Sequence, residues 1–170
     1  HRMSSPLKVV NGLGAVYQAL ATGVTEGAES WAIDDVSLGG LGAPVSSRVD
    51  WIRIGAMVGM QPPGGDNWLV GIVRRFVRTG QTQGAVGIET VSKNPRAIVA
   101  DAGGLETEAI LLDAPAAGEY VRVAVAANQL EAGVVLVFPF DGATARLYPR
   151  DVVASGAGYV IANFFVQSLG

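Results

Sequence analysis

Asp35-Val36-Ser37-Leu38-Gly39-Gly40 is the stretch of this chain whose residue types and spacing best suit the holding of a ligand. A carboxylate accepts hydrogen bonds from N–H donors such as those on a guanine edge. A hydroxyl two residues on both donates and accepts, and glycines let backbone N–H groups approach a ligand closely. The same residues are ordinary turn formers, because Asp and Ser side chains also bond to their own backbone. Arg74 and Arg75 are the cations whose chemistry would complete such a site, since a guanidinium pairs bidentately with phosphate. As neighbours on a strand they are expected on opposite faces, and they read either as solvated edge charges or, for one of them, as a phosphate receiver beside the Asp35 loop. Arg78, Lys93 and Arg96 read as surface cations.

Catalytic chemistry finds little to work with. The single histidine is His1 and there is no cysteine, so a Ser/His triad and a thiolate nucleophile are both excluded. Asp34-Asp35 and Glu106/Glu108 are the remaining acid/base candidates, but Asp34 and Asp35 point to opposite faces if their strand continues. No His cluster and no Asp/Asn ladder of the calcium-loop type is present. A binding module is therefore expected rather than an enzyme, with no metal and no cofactor. Twelve scattered basic residues and a net charge of −3 argue against a nucleic-acid polymer as partner. No apolar run approaches the roughly 20 residues that span a bilayer, so no membrane insertion is expected. The lack of cysteine fits a reducing cytoplasm, and His1-Arg2-Met3 opens without a secretory leader.

The elements that must position these residues are short strands. Twenty-three glycines punctuate runs rich in valine and isoleucine, which is the habit of small β-barrels. Strands are expected at Leu7–Val10, Ser30–Asp34, Leu41–Pro44, Met57–Gln61, Trp68–Arg75 and Gly84–Thr90. A second series is expected at Ala109–Asp113, Tyr120–Val125, Val134–Phe138, Ala143–Leu147 and Tyr159–Val166. Pro62-Pro63-Gly64-Gly65-Asp66 and Asp141-Gly142 read as turns. Ala15–Ala21 has helix-forming residues and no alternation, so one or two helical turns or a bent strand fit it. Gly12-Leu13-Gly14 before it lacks the third glycine of a dinucleotide loop and no βαβ unit follows. The acid- and glycine-rich residues 101–108 read as a linker, which gives a first domain at 1–100 and a second small β domain, barrel or sandwich, at 109–170. Trp31, Trp51 and Trp68 are expected to anchor the first core. The successive aromatics of Phe138-Pro139-Phe140 and Phe164-Phe165 cannot all face one core, which leaves a surface for self-association or for a partner protein.

Asp35, Ser37 and Gly40 match the Asp/Asn-x-Ser-x-x-Gly signature of the PilZ family. Trp68-Leu69-Val70-Gly71-Ile72-Val73-Arg74-Arg75 and then Gly84-Ala85-Val86-Gly87-Ile88-Glu89 follow in the order the family shows after that loop. Residues 2–100 thus resemble a PilZ domain, the bacterial receptor module for cyclic di-GMP. The resemblance implies a PilZ-type antiparallel β-barrel for residues 2–100, and with the second small barrel or sandwich expected from the strand pattern the whole chain is expected to be all-β. It also implies a regulatory module in which Asp35, Ser37, Gly39 and Gly40 hold a guanine, with Arg2, Arg74 and Arg75 near phosphate. The output would pass to a partner or a neighbouring domain. PilZ receptors carry an Arg-x-x-x-Arg signature ahead of the first strand, and here only Arg2 stands there, at a distance before Leu7 that suits the second arginine of the pair, with the first then upstream of His1 in a longer chain. A degenerate PilZ domain that has given up the nucleotide and serves as a protein-contact scaffold is the alternative.

Overall fold

The computed structural model describes residues 6–33, 35–37, 39–46, 50–130 and 133–170, with the backbone alone at residue 35. The architecture is nearly all β, with thirteen strands and one helix among the described residues. The chain divides into two compact units, His1–Lys93 and Asn94–Gly170.

The first unit contains β1 (Pro6–Asn11), α1 (Leu13–Thr22), β2 (Glu29–Ala32), β3 (Asp35–Ser37), β4 (Gly40–Ser46), β5 (Met57–Gln61), β6 (Leu69–Arg78) and β7 (Gln83–Ser92). They form one antiparallel sheet in the order β2-β1-β5-β6-β7-β4-β3, a half-barrel curled around its core. Its concave face buries Leu7, Val9, Trp31, Ala43, Val45, Val58, Met60, Val73, Val86 and Ile88. These residues recur at every second position along β1, β4 and β7, the period-2 alternation that makes a strand half-buried. Strand β5 coincides with the expected Met57–Gln61.

The Ala-rich stretch is a full helix. Gly23 ends it in the left-handed conformation, its N–H donating to the Ala19 carbonyl at 3.1 Å. Val16, Tyr17 and Ala19 are buried where α1 lies against β1 and β5. Trp31 and Trp68 are buried. Trp51 stacks on Trp31 with ring centroids 5.7 Å apart. Both indole N–H groups donate to the Glu29 carboxylate, at 3.0 Å from Trp31 and 2.7 Å from Trp51, so the pair is held by packing and by a shared acceptor.

The second unit begins earlier than the composition suggests. Residues 101–108 are not a linker: they lie in a hairpin formed by β8 (Arg96–Ala102) and β9 (Leu105–Leu111), and the division of the chain falls at Lys93/Asn94. Gly103 and Gly104 both have positive φ at its turn, and the acidic residues beside them flank that turn. The glycine and acid content is therefore turn chemistry. With β10 (Tyr120–Ala126), β11 (Leu136–Phe140), β12 (Ala143–Gly156) and β13 (Tyr159–Leu169), these strands close a six-stranded barrel in the order β10-β13-β12-β11-β8-β9. Closure pairs every strand on both sides, which removes exposed sheet edges. The interior is filled by Val121, Val123, Phe138, Leu147, Phe164 and Val166 among others. Asp141 and Gly142, both with positive φ, make the turn between β11 and β12. Of the successive aromatics, Phe138 and Phe164 point inward, whereas Phe165 stays partly exposed and packs edge-on against exposed Tyr120 at 5.5 Å.

Asp113 closes the connection between β9 and β10. Arg122 donates from Nη2 to Oδ1 at 2.7 Å, from Nε to Oδ2 at 2.9 Å and from its backbone N–H to Oδ2 at 2.9 Å. The Arg122 side-chain bonds hold the Asp113 carboxyl below its usual value, against partial burial and with help from the backbone bond and the Arg122 charge. A carboxyl with a depressed folded pKa stabilises fully above the unfolded value of about 3.9, and that contribution is lost as pH falls through the folded value. Asp113→Asn is therefore expected to flatten the fall in stability of the second unit below about pH 5. Urea midpoints measured across that range check this, and an unchanged slope refutes it.

Candidate functional site

The site is made by what the outward face of the first sheet lacks. Gly40 and Gly42 on β4, and Gly87 on β7, alternate with the inward-facing Leu41, Ala43 and Ile88. Gly42 pairs with Gly87 and Gly40 with Glu89. Three missing side chains on neighbouring strands leave a shallow concavity of about 290 Å³, lined by Ser37, Gly39, Gly40, Leu41, Gly42, Arg74, Arg75, Gly87, Ile88 and Glu89. That volume lies just below the roughly 300–1,000 Å³ typical of ligand pockets.

Both arginines reach this concavity, against the expectation that neighbours on a strand face opposite ways. Along β6, Val73 pairs with Ile88 and Arg75 with Gly87, so Arg74 is an extra residue with no partner on β7. Such a bulge re-aims side chains. It restores Phe76 to the inward face and leaves Arg74 and Arg75 both exposed on the outward one. The Arg75 guanidinium folds over Gly87, where a Cβ would meet its Cζ at 3.5 Å and its Nη2 at 3.4 Å. Arg75 has no ion-pair partner among the described residues, whereas Arg74 Nε donates to Glu89 Oε1 at 2.7 Å. Both members of that pair are about half exposed, a setting in which an ion pair contributes only about 0–1 kcal/mol.

Of the motif residues, Ser37 and Gly40 pair across the β3–β4 hairpin. The Ser37 hydroxyl donates to the Gly40 carbonyl at 3.5 Å, a weak bond that leaves the hydroxyl available. Gly40 serves the sheet as much as any ligand, because a Cβ there would run into the Ile88 carbonyl oxygen. Gly39 lies in open space, and its carbonyl accepts from Thr90 N–H at 2.9 Å. The Asp35 backbone pairs with Gly42, and its side chain lies outside the described residues, as does the whole of Arg2. Lys93 and Arg96 do not line the concavity, and Arg96 pairs instead with Asp141 at 3.0 Å.

Leu41, Gly42, Gly87, Ile88 and Glu89 are the lining residues that sequence reasoning missed. The signal for the glycines was present in Gly40-Leu41-Gly42, where glycine alternates with an apolar residue at period 2, and in Val86-Gly87-Ile88, where a glycine stands between two inward apolar residues. That pattern describes a strand buried on one face and bare on the other. Among the described residues no cluster of His, Cys, Asp and Glu is suited to a metal, and no helix is long and apolar enough to cross a membrane. Comparison of the chain with protein-family models, with curated proteins and with solved structures returns no match.

Proposed function

We propose that the first unit is a cyclic di-GMP-binding regulatory module of a bacterial signalling protein, a PilZ-like receptor that works by binding and not by catalysis. The observation that carries this reading is the meeting of Ser37, Gly39 and Gly40 with Arg74 and Arg75 around one bare patch of sheet. Phosphate would bind the open guanidinium of Arg75. A guanine edge would lie over the glycines, within reach of the Ser37 hydroxyl, and the resemblance adds Asp35 on the guanine and Arg2 near phosphate. A ligand held there would change the surface offered to a neighbouring domain or partner protein. Cyclic di-GMP is made inside bacterial cells, so this reading carries a cytoplasmic location with it.

Calorimetric titration of cyclic di-GMP into the chain, with cyclic di-AMP as control, tests the reading. Saturable binding of the guanine compound alone is expected. Arg75→Ala should weaken it by about 10- to 100-fold, since a hydrogen bond to a charged group contributes roughly 1.5–3 kcal/mol. Absence of heat at high micromolar ligand, or an Arg75→Ala variant that binds as well as the parent, sinks it. The second reading is a scaffold that keeps the sheet and the loop but contacts protein. It is favoured by the Arg74–Glu89 ion pair, which engages one of the two guanidinium groups of the concavity without a ligand, and it predicts no nucleotide binding at all.

A further inference from the structure

We propose that Glu89 sets the affinity of the concavity for phosphate by competing with the ligand for Arg74, so that the two arginines of the bulge are unequal. The inference rests on the phosphate-binding reading above and adds to it a residue that neither the Asp35–Gly40 motif nor the arginine pair contains.

Three features support this inequality. Glu89 stands on β7 between Gly40 of β4 and Ile72 of β6, and its carboxylate reaches Arg74 across the β6–β7 ladder. The Arg74 Nε–H that a phosphate oxygen would take is already donated to Glu89 at 2.7 Å, while Arg75 lies over Gly87 without an ion-pair partner among the described residues. The charged side chains that line the concavity among the described residues are Arg74, Arg75 and Glu89, two positive charges and one negative. Among these side chains an incoming anion meets a surplus of one positive charge, and it must either leave Arg74 paired or displace a carboxylate of its own sign. Because the pair is half exposed, opening it costs little. Glu89 thus lowers affinity without closing the site, and Glu89→Gln keeps the shape while raising the surplus to two.

The test follows two probes on the whole chain: inorganic pyrophosphate, tracked through the Nε–H resonances of Arg74 and Arg75, and cyclic di-GMP by calorimetry. Glu89→Gln is expected to tighten pyrophosphate binding about five- to tenfold at low salt, less as salt screens the charge. Arg74→Ala should abolish that gain, so that Arg74→Ala and the Arg74→Ala/Glu89→Gln double variant bind alike. Urea unfolding of Glu89→Gln should match the parent, which separates competition from damage to β7. Unchanged or weaker pyrophosphate binding by Glu89→Gln, or no pyrophosphate binding by any variant, overturns the proposal whatever the nucleotide does. A gain for pyrophosphate with no cyclic di-GMP binding in any variant supports the competition and removes the nucleotide reading. Cyclic di-GMP binding to the parent, with no gain for either probe in Glu89→Gln, removes the competition and keeps the nucleotide.

Discussion

Gly40→Ala is expected to pull the β3–β4 hairpin away from β7, to lower the unfolding free energy of the first unit by about 1–3 kcal/mol, and to abolish anion binding at the concavity. The added Cβ would overlap the Ile88 carbonyl oxygen and come within 3.0 Å of the Ile88 carbonyl carbon and 3.2 Å of the Glu89 Cα. All three are backbone atoms within the β4–β7 ladder, where Leu41 pairs with Ile88 and Gly42 with Gly87. No flexible side chain can move aside to relieve the overlap. The relief available is separation of the strands, which costs the Thr90 N–H its bond to the Gly39 carbonyl and shifts Ser37 relative to Arg75.

Gly39→Ala is the matched control. Its Cβ would meet nothing within 4 Å and its φ is not positive, so its stability should stay within about 0.5 kcal/mol of the parent. Tryptophan emission reads this experiment selectively, because Trp31, Trp51 and Trp68, all three tryptophans of the chain, lie in the first unit. Equal urea midpoints for the two alanine variants would show that the close approach of β4 to β7 is not what demands glycine.

Phe164→Ala should cost the second unit about 3–5 kcal/mol, the largest stability loss anticipated for a single substitution in this chain. Phe164 is fully buried inside the closed barrel with Val121, Val123, Phe138 and Leu147. It sits on β13 between Val121 of β10 and Pro149 of β12. Truncation leaves a void that a closed barrel fills poorly, because each strand is tied on both sides and cannot slide inward. Phe165→Ala, one residue on and facing outward against Tyr120, should cost far less. Three of the four tyrosines, Tyr120, Tyr148 and Tyr159, lie in this unit, so tyrosine circular dichroism follows its unfolding. A loss below about 1 kcal/mol would mean that the barrel interior repacks freely.

Much of this fold was legible before any coordinates. The strands at Met57–Gln61 and Tyr120–Val125 and the turn at Asp141-Gly142 emerge where valine-rich alternation and turn residues foretell them, because both signals act over a few neighbouring residues. The inward and outward fates of Phe164 and Phe165 follow from the same period. The sequence of the hairpin at 101–108 resembles that of a linker because a tight turn and a flexible connector draw on the same glycine and acidic residues. The strand before it, β8, begins with the isolated Arg96 and carries Asp101, which blurred its alternation.

The site was legible in its parts and not in its assembly. Ser37, Gly39, Gly40, Arg74 and Arg75 could be named from residue chemistry, since hydroxyl, glycine and guanidinium have the same capacities wherever they lie. That both arginines share one face could not, because it depends on a single unpaired residue in the register of β6 against β7. A one-residue change of register exchanges the faces of every side chain beyond it. The bare glycine floor, the Arg75 guanidinium resting on Gly87 and the pairing of Arg74 with Glu89 fifteen residues away depend on the same register. Local patterning determines that these segments are strands and which residues can bind. Pairing between strands distant in the chain decides which of those residues meet, and no window of neighbouring residues contains that information.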